Sequence, residues 1–270
     1  MSRSREGEPP RIYAEDLAYV HHVGFGEFAA GVGGGMVGLL REAGIQRGLL
    51  VELGCGSGIL ARRLLDGGYD LLGVDASAAM VALARAEAPG GQFVEASMYE
   101  VELPRCAAVI SVGEGLGYMR AGGDHDPRPL FRRIAAALAP GGVFIFDVME
   151  RAQGPPESYR SWRRGEDWAV LVEVRTDREA DVLEREIIVF RRVGDTYRQA
   201  IELHRVRLFD PAELTTWLAE AGLEPEEIGG YGEQQLSSGR IGFVARKPAA
   251  GARKASPGAS GEIGRRRPSG

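Results

Sequence analysis

The spacing of apolar residues along the chain changes several times, and each change marks the boundary of a predicted element. In the first part, Tyr13, Leu17 and Val20 recur at the spacing of one helix face, which predicts helix over residues 12–44. A glycine run at 31–35 interrupts this pattern. Each interior glycine costs about 1 kcal/mol relative to alanine, so we expect the helix to break or bend there.

Short apolar runs then alternate with helical patterns as far as residue 148. The predicted strands are 49–53, 70–75, 91–95, 107–112 and 142–148, and the predicted helices are 57–66, 77–87 and 128–138. Alternation of this kind is typical of a parallel sheet with helices on both faces.

The pattern changes after Asp147. Residues 168–175, 183–192 and 196–208 are rich in Val, Ile, Phe and Tyr, with turn residues and no helix between them, which predicts an antiparallel meander. A helix then begins at Asp210-Pro211 and ends at Ala221, followed by strands near 223–230 and 240–246. The predicted fold is therefore a three-layer α/β sheet with an antiparallel β insert at about 155–208.

The strand at 49–53 leads into a glycine-rich turn, with glycines at 54, 56 and 58, that opens a helix. Glycines allow a sharp turn and close approach of a ligand, and the helix start adds unpaired N–H groups. Asp75 ends the next strand, 21 residues after Gly54. This layout is typical of a nucleotide-type cofactor site at the carboxyl edge of a parallel sheet. Without a ligand, the same residues would form a tight turn and a helix cap.

The spacing of the turn distinguishes between cofactors. A dinucleotide fingerprint is G-x-G-x-x-G, but here the third glycine comes one position early and Ile59 takes its place. The segment V-E-L-G-C-G-S-G at 51–58 resembles motif I of the class I, Rossmann-like methyltransferases that use S-adenosylmethionine. Three further segments resemble the family in the same order, namely G-V-D-A-S at 73–77, Q-F-V-E-A-S-M at 92–98 and L-A-P-G-G at 138–142.

The resemblance covers about residues 12–247 and implies a seven-stranded sheet whose last strand is antiparallel. It also implies S-adenosyl-L-methionine as cofactor. The residues that it places around the cofactor are Glu52 (near the methionine amine), the backbone of Gly54 and Gly56, Asp75 (on the ribose hydroxyls), Ala76 and Met80 (around adenine), Ser97 and Met98 (on the other adenine edge) and Gly113 (past the methionine end). Ser97 stands where the family usually has an aspartate.

A methyl group on a sulfonium sulfur is strongly electrophilic, so a base is required only if the nucleophile arrives protonated. The candidates for catalysis are Glu114, after the fourth strand, and His21 or His22. Neighbouring residues on a helix diverge by about 100°, so at most one of these histidines can face a cavity. Structural roles account for the histidines more readily than catalysis does, and the same holds for His204, which shares a strand face with Glu202.

The segment after the fourth strand narrows the class of acceptor. Residues 111–118 lack the [D/N/S]-P-P-[Y/F] motif that accompanies methylation of base or glutamine nitrogens. Small-molecule N- and O-methyltransferases often carry a β insert, so we expect a small-molecule methyl acceptor. The alternatives are an RNA or protein methyltransferase and a cofactor-binding regulator without turnover. Histidine and cysteine spacing predicts no metal site.

Composition sets the remaining expectations for this 270-residue chain. Its net charge of −5 argues against nucleic acid as the partner.

The two ends of the chain are expected to lack fixed structure. Residues 248–270 carry five basic residues against Glu262 and have little to bury, which predicts a disordered basic tail, and residues 1–11 are predicted to be a flexible N-terminus. Two cysteines, no signal peptide and no apolar run long enough to cross a bilayer predict a cytoplasmic protein. We expect a monomer or homodimer.

Overall fold

A computed structural model describes residues 12–119, 126–154 and 156–249. The predicted flexible N-terminus and nearly all of the predicted basic tail lie outside these residues. The helices are α1 (Glu15–Phe25), α2 (Glu27–Glu42), α3 (Ile59–Asp66), α4 (Ala78–Glu87), α5 (Arg128–Ala137) and α6 (Pro211–Glu220). The strands are β1 (Leu49–Leu53), β2 (Asp70–Asp75), β3 (Gln92–Glu95), β4 (Cys106–Ser111), β5 (Leu138–Met149), β6 (Ser158–Arg164), β7 (Trp168–Asp177), β8 (Val182–Val193), β9 (Thr196–Arg207), β10 (Glu224–Ile228), β11 (Gly230–Tyr231), β12 (Gln234–Gln235) and β13 (Arg240–Arg246).

Seven strands form the central sheet, in the order β10-β13-β5-β4-β1-β2-β3. The strands β5, β4, β1, β2 and β3 pair in parallel, and β13 runs antiparallel to both of its neighbours. The predicted fold class, including the antiparallel last strand, is confirmed. Parallel order brings the carboxyl ends of β1, β2 and β4 together at one edge, where the glycine-rich turn lies.

Two apolar clusters cover the two faces of this sheet. Helices α2, α3 and α4 pack on one face through residues such as Met36, Leu64 and Val81, and α5 and α6 pack on the other through residues such as Phe131 and Leu214. All five side chains are almost fully buried. The result is a three-layer structure that leaves only the sheet's edges free for a site.

The predicted break at Gly31–Gly35 is wrong, because the bend lies at Gly26, where α1 meets α2 at 63°. The glycines of α2 instead allow close packing. A Cβ on Gly33 would lie 2.6 Å from Cβ of Arg63 on α3, and one on Gly35 would collide with the carbonyl of Tyr231. Tertiary contact therefore outweighs the low helix propensity of glycine. Within the described residues no single helix is long and apolar enough to cross a membrane, although the bent α1–α2 pair is, by length and composition.

The insert is a four-stranded antiparallel sheet in the order β6-β7-β8-β9. The sequence pattern does not predict its first strand, because all seven residues of Ser158–Arg164 are exposed and show no apolar alternation. The inner face of the insert packs on α1, where Leu17 and Val20 contact Trp168 and Val170. This contact places the insert over the carboxyl edge of the central sheet.

Candidate active site

The glycine-rich turn after β1 has a conformation that residues with side chains rarely adopt. Gly54, Gly56 and Gly58 have φ angles of 72°, 53° and 82°. The N–H groups of Gly54 and Cys55 donate to the carbonyl of Val74 on β2, at 2.7 and 3.0 Å. The turn is therefore fixed against the end of the neighbouring strand by its own backbone.

Asp75, at the end of β2, connects this turn to the next helix. Its carboxylate accepts from the N–H of Gly56 at 2.9 Å and from the N–H of Ser77 at 2.8 Å. Burial raises the pKa of Asp75, and the two backbone donors offset part of that rise. Ser77 in turn caps α4, since its Oγ accepts from the N–H of Met80 at 3.1 Å.

Glu52 lies beneath the turn and is only 3% exposed. Burial, with a smaller contribution from Asp75, raises the pKa of Glu52 to about 8. Its Oε2 is buried and has no hydrogen-bond partner among the described residues. A buried carboxyl oxygen without a partner is costly, and a cationic donor bound beside it would remove that cost.

A cavity of about 1460 Å³ opens along this edge of the sheet. Its walls are the glycine-rich turn, α1 and the inner face of the insert. All nine residues that the family resemblance assigned to the cofactor line it, namely Glu52, Gly54, Gly56, Asp75, Ala76, Met80, Ser97, Met98 and Gly113. Ser97 is buried, and its Oγ accepts from the N–H of Tyr99 at 3.3 Å.

Glu114 also lines the cavity, but its carboxylate is already bound. Arg185 of β8 donates to Oε1, and Nη2 of Arg240 on β13 donates to Oε2 at 3.0 Å. Burial by itself would raise the pKa of Glu114, but the two guanidinium groups outweigh it and hold the pKa below its usual value. Glu114 is therefore a weak base that fixes two arginines at the cavity wall.

The two neighbouring histidines of α1 face different surroundings. His21 lines the cavity, and burial, followed by the nearby His22 and His204, lowers the pKa of His21 to about 4. Its Nδ1 is buried and has no hydrogen-bond partner within the part of the chain that the structure describes. His22 is not among the lining residues, and its Nδ1 lies 2.9 Å from Oγ of Ser57. His22 therefore contacts the glycine-rich turn and not the cavity.

A second group of residues, at and beside the cavity wall, links α1 to the insert, and the sequence predicts only one of its contacts. The hydroxyl of Tyr13 lies 2.9 Å from that of Tyr118, and the N–H groups of Tyr13 and Ala14 donate to Glu202 of the insert at 2.7 and 2.9 Å. Glu202 also lies 2.8 Å from Nε2 of His204, as their shared strand face predicts. Glu202 thus ties the start of α1 to the insert.

One of the missed residues had a signal in the sequence. Arg185 lies on the same strand face as Leu183 and Ile187, so alternation places a cation among buried apolar side chains. Such an arginine needs a buried partner, which here is Glu114. Arg240 follows Gly239 at the start of β13, and no pattern there indicates a role.

Comparison with known proteins identifies the class. The sequence model of the family described as Methyltransferase domain matches residues 37–228, which is most of this chain. The chain therefore belongs to this family, and the fold and the glycine-rich turn place it among the class I, S-adenosylmethionine-dependent methyltransferases. It is a methyltransferase, and S-adenosyl-L-methionine is its cofactor.

Particular relatives support the same assignment. A protein of Geobacillus sp. (strain WCH70) named as a methyltransferase is 28% identical over 219 residues, which is 73% of this chain and 84% of that protein. Trans-aconitate 2-methyltransferase of Paracidovorax citrulli (strain AAC00-1) is 30% identical over 211 residues, 73% of this chain and 74% of that enzyme.

Solved structures share the fold. An S-adenosylmethionine-dependent methyltransferase from Clostridium acetobutylicum ATCC 824 has a TM-score of 0.73 at 16% identity and covers 86% of this chain and 98% of its own. The sugar N-methyltransferase KedS8 from Streptoalloteichus sp ATCC 53650 has a TM-score of 0.72 at 24% identity and covers 92% of this chain and 98% of its own.

Proposed function

We propose that the cofactor lies along the carboxyl edge of the central sheet, between the glycine-rich turn and α4. The Asp75 carboxylate accepts from the ribose hydroxyls, and Glu52 receives the methionine ammonium on its unpartnered oxygen. Ala76, Met80, Ser97 and Met98 surround the adenine, and Gly113 borders the methionine end. The orphaned oxygen of Glu52 supports this fit, because a bound cation would satisfy it.

We further propose that the methyl acceptor is a small molecule with a nitrogen or oxygen nucleophile. The observation that carries this proposal is the cavity itself, since about 1460 Å³ exceeds the roughly 300–1000 Å³ of a typical single-ligand pocket. The insert covers one side of the space beyond the cofactor edge, where its Val170, Val172 and Ile187 line the cavity. Such an apolar cover suits a small acceptor and reduces its contact with water.

The groups around this end favour a nucleophile that reacts without first losing a proton. When bound, the cofactor supplies an electrophilic methyl group. The two arginines lower the pKa of Glu114, so its carboxylate is a weak base. Burial raises the pKa values of Tyr13 and Tyr118, so both hydroxyls keep their protons and do not act as bases. A free amine or a carboxylate oxygen meets this requirement. Similar proteins include a sugar N-methyltransferase, whose name gives a nitrogen acceptor, and a trans-aconitate 2-methyltransferase.

The test is an assay of S-adenosylhomocysteine release by the full chain over a library of small amines, carboxylates and alcohols, alongside calorimetry with S-adenosylmethionine. We expect cofactor binding and turnover on at least one amine or carboxylate. Binding without turnover on any small molecule would favour a regulator, and turnover on RNA or protein alone would overturn the small-molecule proposal.

A variant pair then locates the acceptor. Ser161 of β6 faces the cavity, whereas Ser158 of the same strand faces outward. Ser161→Phe should raise the acceptor KM by about tenfold, because it fills the acceptor end, and should leave the cofactor affinity unchanged. Ser158→Phe is the control and should change neither. Equal effects of the two substitutions would contradict the placement of the acceptor under the insert.

A further inference from the structure

The outer face of the insert, which points away from the cavity, carries a band of apolar side chains. Strand register places Trp162, Leu171, Ile188 and Ile201 side by side across all four strands. Trp162 is 70% exposed, Leu171 44% and Ile201 61%, and the neighbouring Leu203 is 50% exposed. We call these five residues the outer patch.

Such a patch needs an explanation, because the inner face of the same strands already supplies the insert's packing. Inward-facing Val170, Ile187 and Val189 are buried against α1, while the alternate positions of the same strands form the outer patch. A sheet with one packed face normally has polar residues on the other. A contiguous apolar patch on a solvent-facing surface marks an interaction site.

We propose that the outer patch is the contact surface of a homodimer, with a second copy of this chain packed face to face on it. The whole outer face, including the outer patch, is somewhat smaller than a standard interface. Four strands at about 4.8 Å spacing and about 10 residues at about 3.3 Å each give a face of roughly 650 Å². This approaches the roughly 800 Å² per partner of a standard interface.

The shape of the face fits a copy of itself. A groove of about 330 Å³ lies on the β6–β8 side, bordered by Trp162, Leu171 and Ile188. The β9 side carries the protruding side chains of Ile201 and Leu203. A two-fold axis parallel to the strands brings the β9 side of one copy over the groove of the other, and the second contact repeats the first. Two packed sheets interdigitate in this way at about 10 Å separation.

The charges around the outer patch also favour a like partner. Glu173 pairs with Arg160 at 3.0 Å and with Arg175 at 2.7 Å, and Glu184 pairs with Arg205 at 3.0 Å. Arginines and carboxylates are therefore interspersed on the same face. A nucleic acid or an anionic membrane favours a face that carries cations alone, whereas a second copy presents the same mixture of signs.

Sedimentation equilibrium of the full chain over the micromolar range tests the proposal. We expect twice the mass of the 29.0 kDa chain. A two-fold interface contains each substituted residue twice, once from each copy. Trp162→Arg and Ile201→Arg should therefore each weaken dimerisation by at least about thirtyfold. Val94→Arg is the matched control, since Val94 is 42% exposed on β3, outside the outer patch, and should leave the dimer intact.

Cofactor titration of each variant keeps the result interpretable. A monomeric Trp162→Arg or Ile201→Arg variant that binds S-adenosylmethionine as the wild type does is folded and supports the proposal. A monomeric wild type would overturn it. So would a dimer that survives both outer-patch substitutions, or one that Val94→Arg disrupts, because the contact would then lie elsewhere.

Discussion

The carboxyl edge of the central sheet and the inner face of the insert line the same cavity, but they are held in place differently. At the sheet edge, backbone N–H groups hold the turn and Asp75 together. The N–H of Gly56, for example, donates to Asp75, which is 19 residues away in sequence. At the insert, groups distant in sequence meet: the guanidinium of Arg185 donates to Glu114, 71 residues away, and the backbone N–H of Tyr13 donates to Glu202, 189 residues away. The proposed cofactor end is thus held by local backbone contacts, while the proposed acceptor end depends on tertiary contacts.

The largest effect should come from breaking the link between these two regions. Glu114→Gln leaves Arg185 without its carboxylate partner and leaves Arg240 with Asp147 alone, at 3.5 Å; each arginine is only 18% exposed. We expect a loss of about 3–5 kcal/mol in the free energy of unfolding, measured with urea. Glu224→Gln, on an exposed position of β10, should change it by less than about 0.5 kcal/mol.

The pH dependence of this loss has a definite sign. The pKa of Glu114 is lowered in the folded protein, so its contribution is complete above the ordinary carboxyl pKa and disappears as the pH falls through the folded value. Wild type and Glu114→Gln should therefore converge in acid. A difference that is constant with pH would show that the ion pairs are not its cause.

Glu52 should produce the opposite pH dependence at the cofactor end. Its pKa rises from 4.5 to about 8 on folding, so the folded protein binds more protons than the unfolded chain between these values. Stability should fall as the pH rises through this range. Glu52→Gln should remove that slope and be more stable than the wild type above pH 8, by an amount on the order of several kcal/mol. Urea unfolding of the two ligand-free proteins at several pH values measures it; parallel curves would contradict the assignment.

Asp75 provides a test of the cofactor end by affinity. Asp75→Asn keeps the size of the side chain but removes its charge, and we expect S-adenosylmethionine to bind about ten- to a hundredfold more weakly, as for the loss of a charged hydrogen bond. Asp70→Asn, at the exposed other end of the same strand, should have no effect. Calorimetry compares them, and equal affinities would remove Asp75 from the cofactor site.

The smallest expected effect comes from replacing a helix N-cap. Two caps are compared, and only one of them also contacts the cavity wall. Ser77 and Asp210 cap α4 and α6, and replacing either by Ala should cost about 1 kcal/mol of stability. Ser77 Oγ also donates to the carbonyl of Tyr13 at 2.6 Å, at the cavity wall. Only Ser77→Ala should therefore weaken cofactor binding as well, by a few-fold. A similar change in cofactor affinity for Asp210→Ala would refute the distinction.

The contrast between local and tertiary contacts also explains which parts of the cavity and the fold could be predicted from the sequence. The positions of Gly54, Gly56 and Asp75 follow from short-range spacing, because a strand, a turn and the next strand fix them within about twenty residues. Arg240 and Tyr13 reach the cavity only through the pairing of β13 with β5 and the packing of α1, which local patterns do not encode. The strand at Ser158–Arg164 was missed for the related reason that its pairing with β7, and not its own apolar pattern, makes it a strand.

The glycines of α2 have one more consequence. Five of its sixteen residues are glycine, so on its own this helix would be about 4–5 kcal/mol less stable than a polyalanine helix of the same length. It holds its shape only while α3 and the Tyr231 segment are docked against it. Amide hydrogens in these three pieces should therefore exchange with solvent together, as one cooperative unit that opens before the rest of the core.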